Sequence, residues 1–247
     1  MPNAADLNDA AKPPRADMGP QSRRLYRIAA ISVVLFVIVG MIAPPLILTS
    51  VDYDTELPGK ALLEFIAEHR TWWIWLQTLT MGSMVLLIIP LIALYPALKH
   101  GDQAVAAIGI VLAISCQVLF MAYFPVVNGL FYLSDRYVEA TDPAYRASLV
   151  GGAEALVAMN NVYGTSDSIF AISIAVISYA MLRSAFARWI AYLGFFTCFA
   201  GLVGAMLKGQ LGILYLWWWA FFVIWFLAIG VKFAQLGWRN SETSVNR

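Results

Sequence analysis

The chain has 247 residues, of which 61% are hydrophobic and only 13% charged. Soluble domains average about half apolar and about a quarter charged, and a mean hydropathy of +0.72 points the same way. This excludes a disordered chain, a disulfide scaffold and an ordinary soluble enzyme. A formal net charge of +1 gives no global basic field to hold nucleic acid.

Residues 1–25 are rich in Ala, Pro, Asp and Asn and lack apolar periodicity, so they read as a disordered cytoplasmic tail. Arg23, Arg24 and Arg27 then precede an uncharged run over 28–48. That run is longer than the roughly 7–15 residues of a signal-peptide core. It ends in Ala43-Pro44-Pro45 rather than a small-residue cleavage site, so a retained first helix is expected. Further apolar segments follow at 72–98, 104–127, 161–182, 189–207 and 211–231. Each reaches the roughly 17–25 residues that span a bilayer as a helix, whereas a β-barrel would alternate apolar with polar positions. The expected fold is an all-α, six-helix transmembrane bundle over 26–236, with a short C-terminal tail at 237–247.

Basic residues set the expected orientation. With the N-terminus inside, the cytoplasmic side holds Lys12, Arg15, Arg23, Arg24, Arg27, Lys99, Arg183, Arg188, Lys232, Arg239 and Arg247. The outer side holds Lys60, Arg70, Arg136, Arg146 and Lys208. Eleven against five puts both termini in the cytoplasm. Aromatic residues frame the spans: Trp72, Trp73, Trp75, Tyr163, Trp217, Trp218 and Trp219 outside, and Tyr26, Tyr95, Tyr179, Trp189, Tyr192 and Trp238 inside.

Two outer loops, 49–71 and 128–160, are long. The first carries an amphipathic helix from Pro58 onward, with Leu62, Leu63, Phe65 and Ile66 on its apolar face. In the second, Pro143 suits a first helical turn capped by Thr141 or Asp142. That helix is expected to run on into the fourth span. Pro90 is expected to kink the second span.

A weak repeat is visible. Tyr95-Pro96-Ala97-Leu98-Lys99 and Tyr179-Ala180-Met181-Leu182-Arg183 both fit Tyr-x-x-Leu-basic, and Gly109 and Gly194 follow at similar distances. The same register pairs Gln77 with Asn161 and Ser83 with Asp167. Duplicated hairpins would explain this, as would the habit of membrane helices to end in an aromatic and a base.

These motifs resemble a family of bacterial multi-pass membrane proteins known only as a domain of unknown function. The resemblance rests on Leu62-Leu63-Glu64-Phe65-Ile66-Ala67, on Ala93-Leu94-Tyr95-Pro96-Ala97-Leu98-Lys99, and on Leu182-Arg183 leading to Arg188-Trp189-Ile190-Ala191-Tyr192-Leu193-Gly194. That family usually has a proline before the aromatic where Ala187-Arg188 stands here. The resemblance covers most of residues 26–235. It implies about six helices in a bacterial inner membrane and implies no activity.

Chemistry-bearing motifs are sparse. His69 and His100 fall on opposite faces, with no H-x-x-x-H or Cys–His cluster, so neither metal nor haem is expected. Cys116 and Cys198 sit mid-span as small apolar residues. Gly82-Ser83 and Gly164-Thr165-Ser166 lack a histidine base at their depth, and no nucleotide-binding loop is present. No catalytic residue and no cofactor are expected. Ala200, Gly201, Gly204 and Ala205 form overlapping small-residue pairs, suited to packing within the bundle or to a dimer face.

The informative residue is Asp167, in the fourth span. Asn160, Gly164, Asp167, Ala171 and Ser178 share one helical face. A carboxylate in hydrocarbon costs several kcal/mol unless paired or hydrated. Candidate ligand-binding residues are Asp167, Asn160, Asn161, Gln77, Ser83, Asn128 and Lys208, with Gln210 nearby and Gln117 expected deeper. Asp167 is expected to face the interior and meet Lys208, Gln77 or Asn128. The cluster is either an outward-opening polar cavity or a structural hydrogen-bond network. The partners expected are the lipid bilayer and an amphipathic small molecule or membrane protein. The expected role is non-enzymatic binding, sensing or assembly; the alternative is a small transporter, and an intramembrane enzyme ranks last.

Overall fold

The computed structural model describes residues 20–43, 46, 59–98, 102–162, 164–184, 186–207 and 217–238, with the side chains of 20, 123–127, 160–162, 164 and 165 excepted. It is all-α: 93% helical with no strand among the described residues. The helices are α1 (Pro20–Phe36), continued by a π-helical segment (Val37–Ile42), α2 (Gly59–Glu68), α3 (Arg70–Ala97), α4 (Gln103–Glu139), α5 (Pro143–Val162), α6 (Gly164–Met181), α7 (Arg188–Met206) and α8 (Trp217–Trp238).

Five of them are long and apolar enough to cross a membrane: 21–42, 70–97, 103–122, 188–206 and 217–238. The stretch expected as the fourth span is a shorter apolar helix, Ser166–Met181. The chain is a membrane-type helical protein with several apolar helices of spanning length. Helix α1 starts at Pro20, so residues 20–25, read from sequence as tail, form its first turns. Arg27 explains why they order. Its Nε donates to the Gly237 carbonyl at 2.8 Å, and its guanidinium lies over the Trp238 ring. The carbonyl-rich end of α8 therefore holds the start of α1.

Six helices form a closed ring. Helix α1 packs on α3, α3 on α4, α4 on α6, α6 on α7, α7 on α8, and α8 back on α1. Lipid tails are as apolar as leucine, so close packing rather than burial holds such a ring together. Its centre is aromatic: Phe36 meets Phe226 edge-on at 5.4 Å, Phe170 meets Phe222 at 5.3 Å, and Phe222 stacks on Phe226 at 5.4 Å. Such pairs contribute about 0.5–1.5 kcal/mol each beyond area. Trp218, read from sequence as an outer-boundary anchor, is fully buried in this core. Ala200, Gly201 and Gly204 are buried, and a Cβ on Gly201 would lie 2.9 Å from the Ala171 Cβ of α6 and 3.3 Å from the Trp218 ring. The small-residue stripe thus packs within the bundle.

Helix α4 is capped by Asp102, whose carboxylate accepts from Val105 N at 3.2 Å. Its 37 residues extend ~55 Å, well beyond the ~30 Å hydrocarbon core. The surplus carries a second core, separate from the ring. Leu62, Leu63 and Ile66 of α2 pack with Leu130 and Tyr137 of α4, Leu149 and Ala153 of α5, and Trp73 of α3. Trp73 therefore joins this head rather than standing free at a boundary. Ser134 Oγ donates to the Leu63 carbonyl at 2.7 Å, Arg146 Nε donates to Ala140 O at 2.7 Å, and Arg70 pairs with Asp135. Asp142 caps α5 by accepting from Ala144 N at 3.1 Å.

Helix α3 continues through Pro90 and Pro96. Helix α5 is described to Val162 and α6 from Gly164; the junction through which the helix from Pro143 is expected to run into the fourth span, at Tyr163, lies outside the described residues.

Candidate functional site: a polar layer inside the ring

Three adjacent ring helices each bury a polar side chain at the same count of residues from the described helix end. Ser83 stands fourteen residues before the end of α3, Gln117 fourteen after the start of α4, and Asp167 fourteen before the end of α6. At 1.5 Å per residue each lies ~21 Å from the end of the ring that carries the α3–α4 and α6–α7 turns. A crossing between α4 and α6 sets their register. A Cβ on Gly109 would come within 3.0 Å of the Ile177 backbone nitrogen. Counting outward along the antiparallel pair brings Gln117 within one turn of Asp167.

Ser83 is fully buried, Gln117 is 1% exposed and Asp167 7%. Ser166 is buried beside Asp167. Ser83 Oγ donates to the Thr80 carbonyl at 2.7 Å, which leaves its lone pairs as acceptors. Gln117 Oε1 has no hydrogen-bond partner. A buried group left so costs about 1–3 kcal/mol, and native interiors rarely leave one without a reason. The π-helical segment supports the Ser83 wall. Ala43 N donates five residues back to Ile38 O, and a Cβ on Gly40 would lie 2.7 Å from the Ser83 Cβ. Glycine alone permits that approach.

Further polar atoms line the ring. Trp218 Nε1, Trp225 Nε1 and Ser178 Oγ are buried without partners. Ser178 and Trp225 both face Gly194, where a Cβ would overlap Ser178 Oγ and lie 2.6 Å from Trp225 Nε1. Ser173 and Thr197 donate to carbonyls of their own helices, Phe170 O at 2.6 Å and Leu193 O at 2.8 Å. Among the described residues, Asp167 is the one buried acidic or basic side chain. No three His, Cys, Asp or Glu among them are grouped to hold a metal ion.

The expected face of α6 holds for Asp167, Ala171 and Ser178, all buried. Ser83 joins Asp167's layer. Gln77 is half-buried, six residues and so ~9 Å farther out on α3. Asn128 is exposed, eleven residues and ~16 Å beyond Gln117. Its expected depth beside Asp167 is corrected, because α4 does not end at the boundary but carries Asn128 up into the head. The side chains of Asn160 and Asn161, and Lys208 and Gln210 entirely, lie outside the described residues. Gln117, expected deeper than the site, belongs to it. The signal that could have placed it was the equal count of residues from each turn.

The repeat has a structural echo. Leu98 N bonds both Leu94 O (2.9 Å) and Tyr95 O (3.3 Å), and Leu182 N bonds both Ser178 O (3.3 Å) and Tyr179 O (3.2 Å). The repeat-paired Ser83 and Asp167 stand at equal height above these matching turns. Compared with family models, with curated proteins and with solved structures, the chain gives no match.

Proposed function

We propose that this is a six-pass protein of a bacterial inner membrane, with both termini cytoplasmic, that binds the polar head of an amphipathic small molecule in the layer formed by Ser83, Gln117 and Asp167. Its role is binding or sensing rather than catalysis. The sixth pass in this reading is α6. Its 18 residues extend ~27 Å, and it packs between two helices of spanning length. The resemblance to the six-helix family of unknown function belongs to the same proposal and informs the topology alone.

The observation that carries the reading is Gln117 Oε1, buried and unpartnered within about a turn of Asp167, the one buried charged residue among those described. A purely structural network would satisfy its own members. A transport role for the same layer is the second reading. One feature favours it: the matching turns of two hairpins, since internal repeats are familiar in transporters.

Native mass spectrometry of the protein released from mild detergent tests the binding reading. A bound small molecule is expected on the wild type and lost from Gln117→Leu, with α-helical content unchanged. A wild type that carries nothing, both from membranes and after incubation with a membrane lipid extract, would reject it.

A further inference from the structure

We propose that the turn-bearing end of the ring holds the head group of an anionic phospholipid, where α1, α8 and the α6–α7 turn meet. The site lies at the opposite end from the head and does not depend on the polar layer.

Three segments distant in sequence are joined there by one aromatic cluster. The Phe233 ring of α8 stacks on Tyr26 of α1 at 5.6 Å and meets Phe186 of the α6–α7 turn edge-on at 6.4 Å. All three rings are buried. Arg27 Nε on Gly237 O fixes the first turns of α1 on the end of α8, and a Cβ on Gly237 would lie 2.8 Å from Arg27 Cγ. Around this cluster stand Arg23, Arg24 and Arg27 of α1, Arg183 and Arg188 of the turn, and Lys232 beside Phe233. Arg24, Arg27, Arg183 and Arg188 are exposed. The described residues of 20–27, 182–190 and 230–238 contain those six bases and no acid. The stretches that continue from this end do not cancel the charge: 1–19, 99–101 and 239–247 together carry five Lys and Arg against four Asp and Glu. Asp102, at the same end, is engaged in capping α4. A field of one sign attracts an anion, and the planar fork of arginine pairs two phosphate oxygens at once.

The surface beside the patch decides what carries that anion. On α1, Ile28, Ile31 and Leu35 share the face of Arg24 and are exposed. On α8, Val231, Leu227 and Ile224 lead away from Lys232 and are exposed. On α7, Trp189, Tyr192, Phe196 and Phe199 form one exposed face next to Arg188. Helix α8 packs on both α1 and α7, so the three faces are neighbours. Trp189, Tyr192 and Trp238 are rings of the kind that settle at head-group level. A soluble anion would use the bases alone. A phospholipid meets the bases with its phosphate and the adjoining apolar faces with its acyl chains, and basic clusters at the end of a span draw anionic lipids.

Native mass spectrometry of the purified protein in mild detergent tests this, with dioleoyl phosphatidylglycerol, dioleoyl phosphatidylcholine, glycerol 3-phosphate and a hexaglutamate peptide as probes. Phosphatidylglycerol is expected to bind in preference to the other three. Replacing Arg24 and Arg188 together by Gln should weaken it about thirtyfold. If that double variant fails to fold, Arg24→Gln and Arg188→Gln singly should each cost about fivefold. Arg136→Gln, in the head, should leave phosphatidylglycerol binding unchanged. So should Gln117→Leu, so this site and the polar layer fail independently. Equal binding of phosphatidylcholine would overturn recognition of the negative charge. Equal binding of glycerol 3-phosphate would keep the anion and overturn the lipid. Equal binding of hexaglutamate would assign the patch to an acidic protein segment and overturn the lipid as well. A loss in Arg136→Gln as large as in the double variant would overturn the location. No binding of phosphatidylglycerol would reject the site outright.

Discussion

Leu63→Ala should melt the head and spare the ring. Leu63 is fully buried among Leu62, Ile66, Leu130, Tyr137 and Leu149, and its carbonyl receives the Ser134 hydroxyl. The substitution removes three carbons, about 2.4 kcal/mol at ~0.8 kcal/mol each. The cavity left behind raises the usual cost to about 2.7–5 kcal/mol. Helix α2 has ten residues, too few to hold without its packed face. The head core is small, so a loss of this size is a large share of its stability. Hydrogen exchange followed by mass spectrometry measures the effect. Amides of 59–68 and 143–157 should lose about a hundredfold or more in protection, since each 1.4 kcal/mol is a factor of ten. Amides of 188–206 and 217–238 should stay as in the wild type. Ser134→Ala, which removes one neutral hydrogen bond, should cost only about 0.5–1.5 kcal/mol. Equal loss of protection in α7 and α8 would refute the separation of the two cores. Unchanged protection in 59–68 would refute the packing of α2.

The ring and the topology can be tested as directly. Gly201→Leu forces side-chain atoms into space already shared by Ala171 and Trp218, and should lower the melting temperature in detergent by the equivalent of about 1–3 kcal/mol; Gly82→Ala, where a Cβ meets nothing within 4 Å, should leave it unchanged or slightly higher. Reporter fusions after Arg247 and within the 135–146 segment should report opposite sides of the membrane, and the same side for both would refute the proposed orientation.

The sequence by itself determined the class of solvent and the periodic elements. Long uncharged runs around 28–48, 72–98 and 189–207 have no soluble alternative, because bilayer thickness sets their length directly. The amphipathic loop helix was legible from Leu62, Leu63 and Ile66, and the start of the next helix from Asp142-Pro143, because these patterns depend on neighbours three or four positions away. The inward face of α6 was legible from Asp167, Ala171 and Ser178, since a charge in hydrocarbon demands shelter.

What the tertiary structure alone decided is where those elements meet. Hydropathy ends a span at the boundary, but α4 runs on because its outer turns find partners in α2 and α5. Asn128 therefore belongs to the head, and Trp73 to its core. Trp218 could have stood at the interface as readily as in the bundle, and its contact with Gly201 of the neighbouring α7 settles it. Gln117 joins Asp167 because two helices cross at Gly109, sixty-eight residues from Ile177 along the chain. Local sequence encodes which face of a helix is apolar. The height at which two faces meet depends on the packing of both, and the polar layer exists only at that meeting.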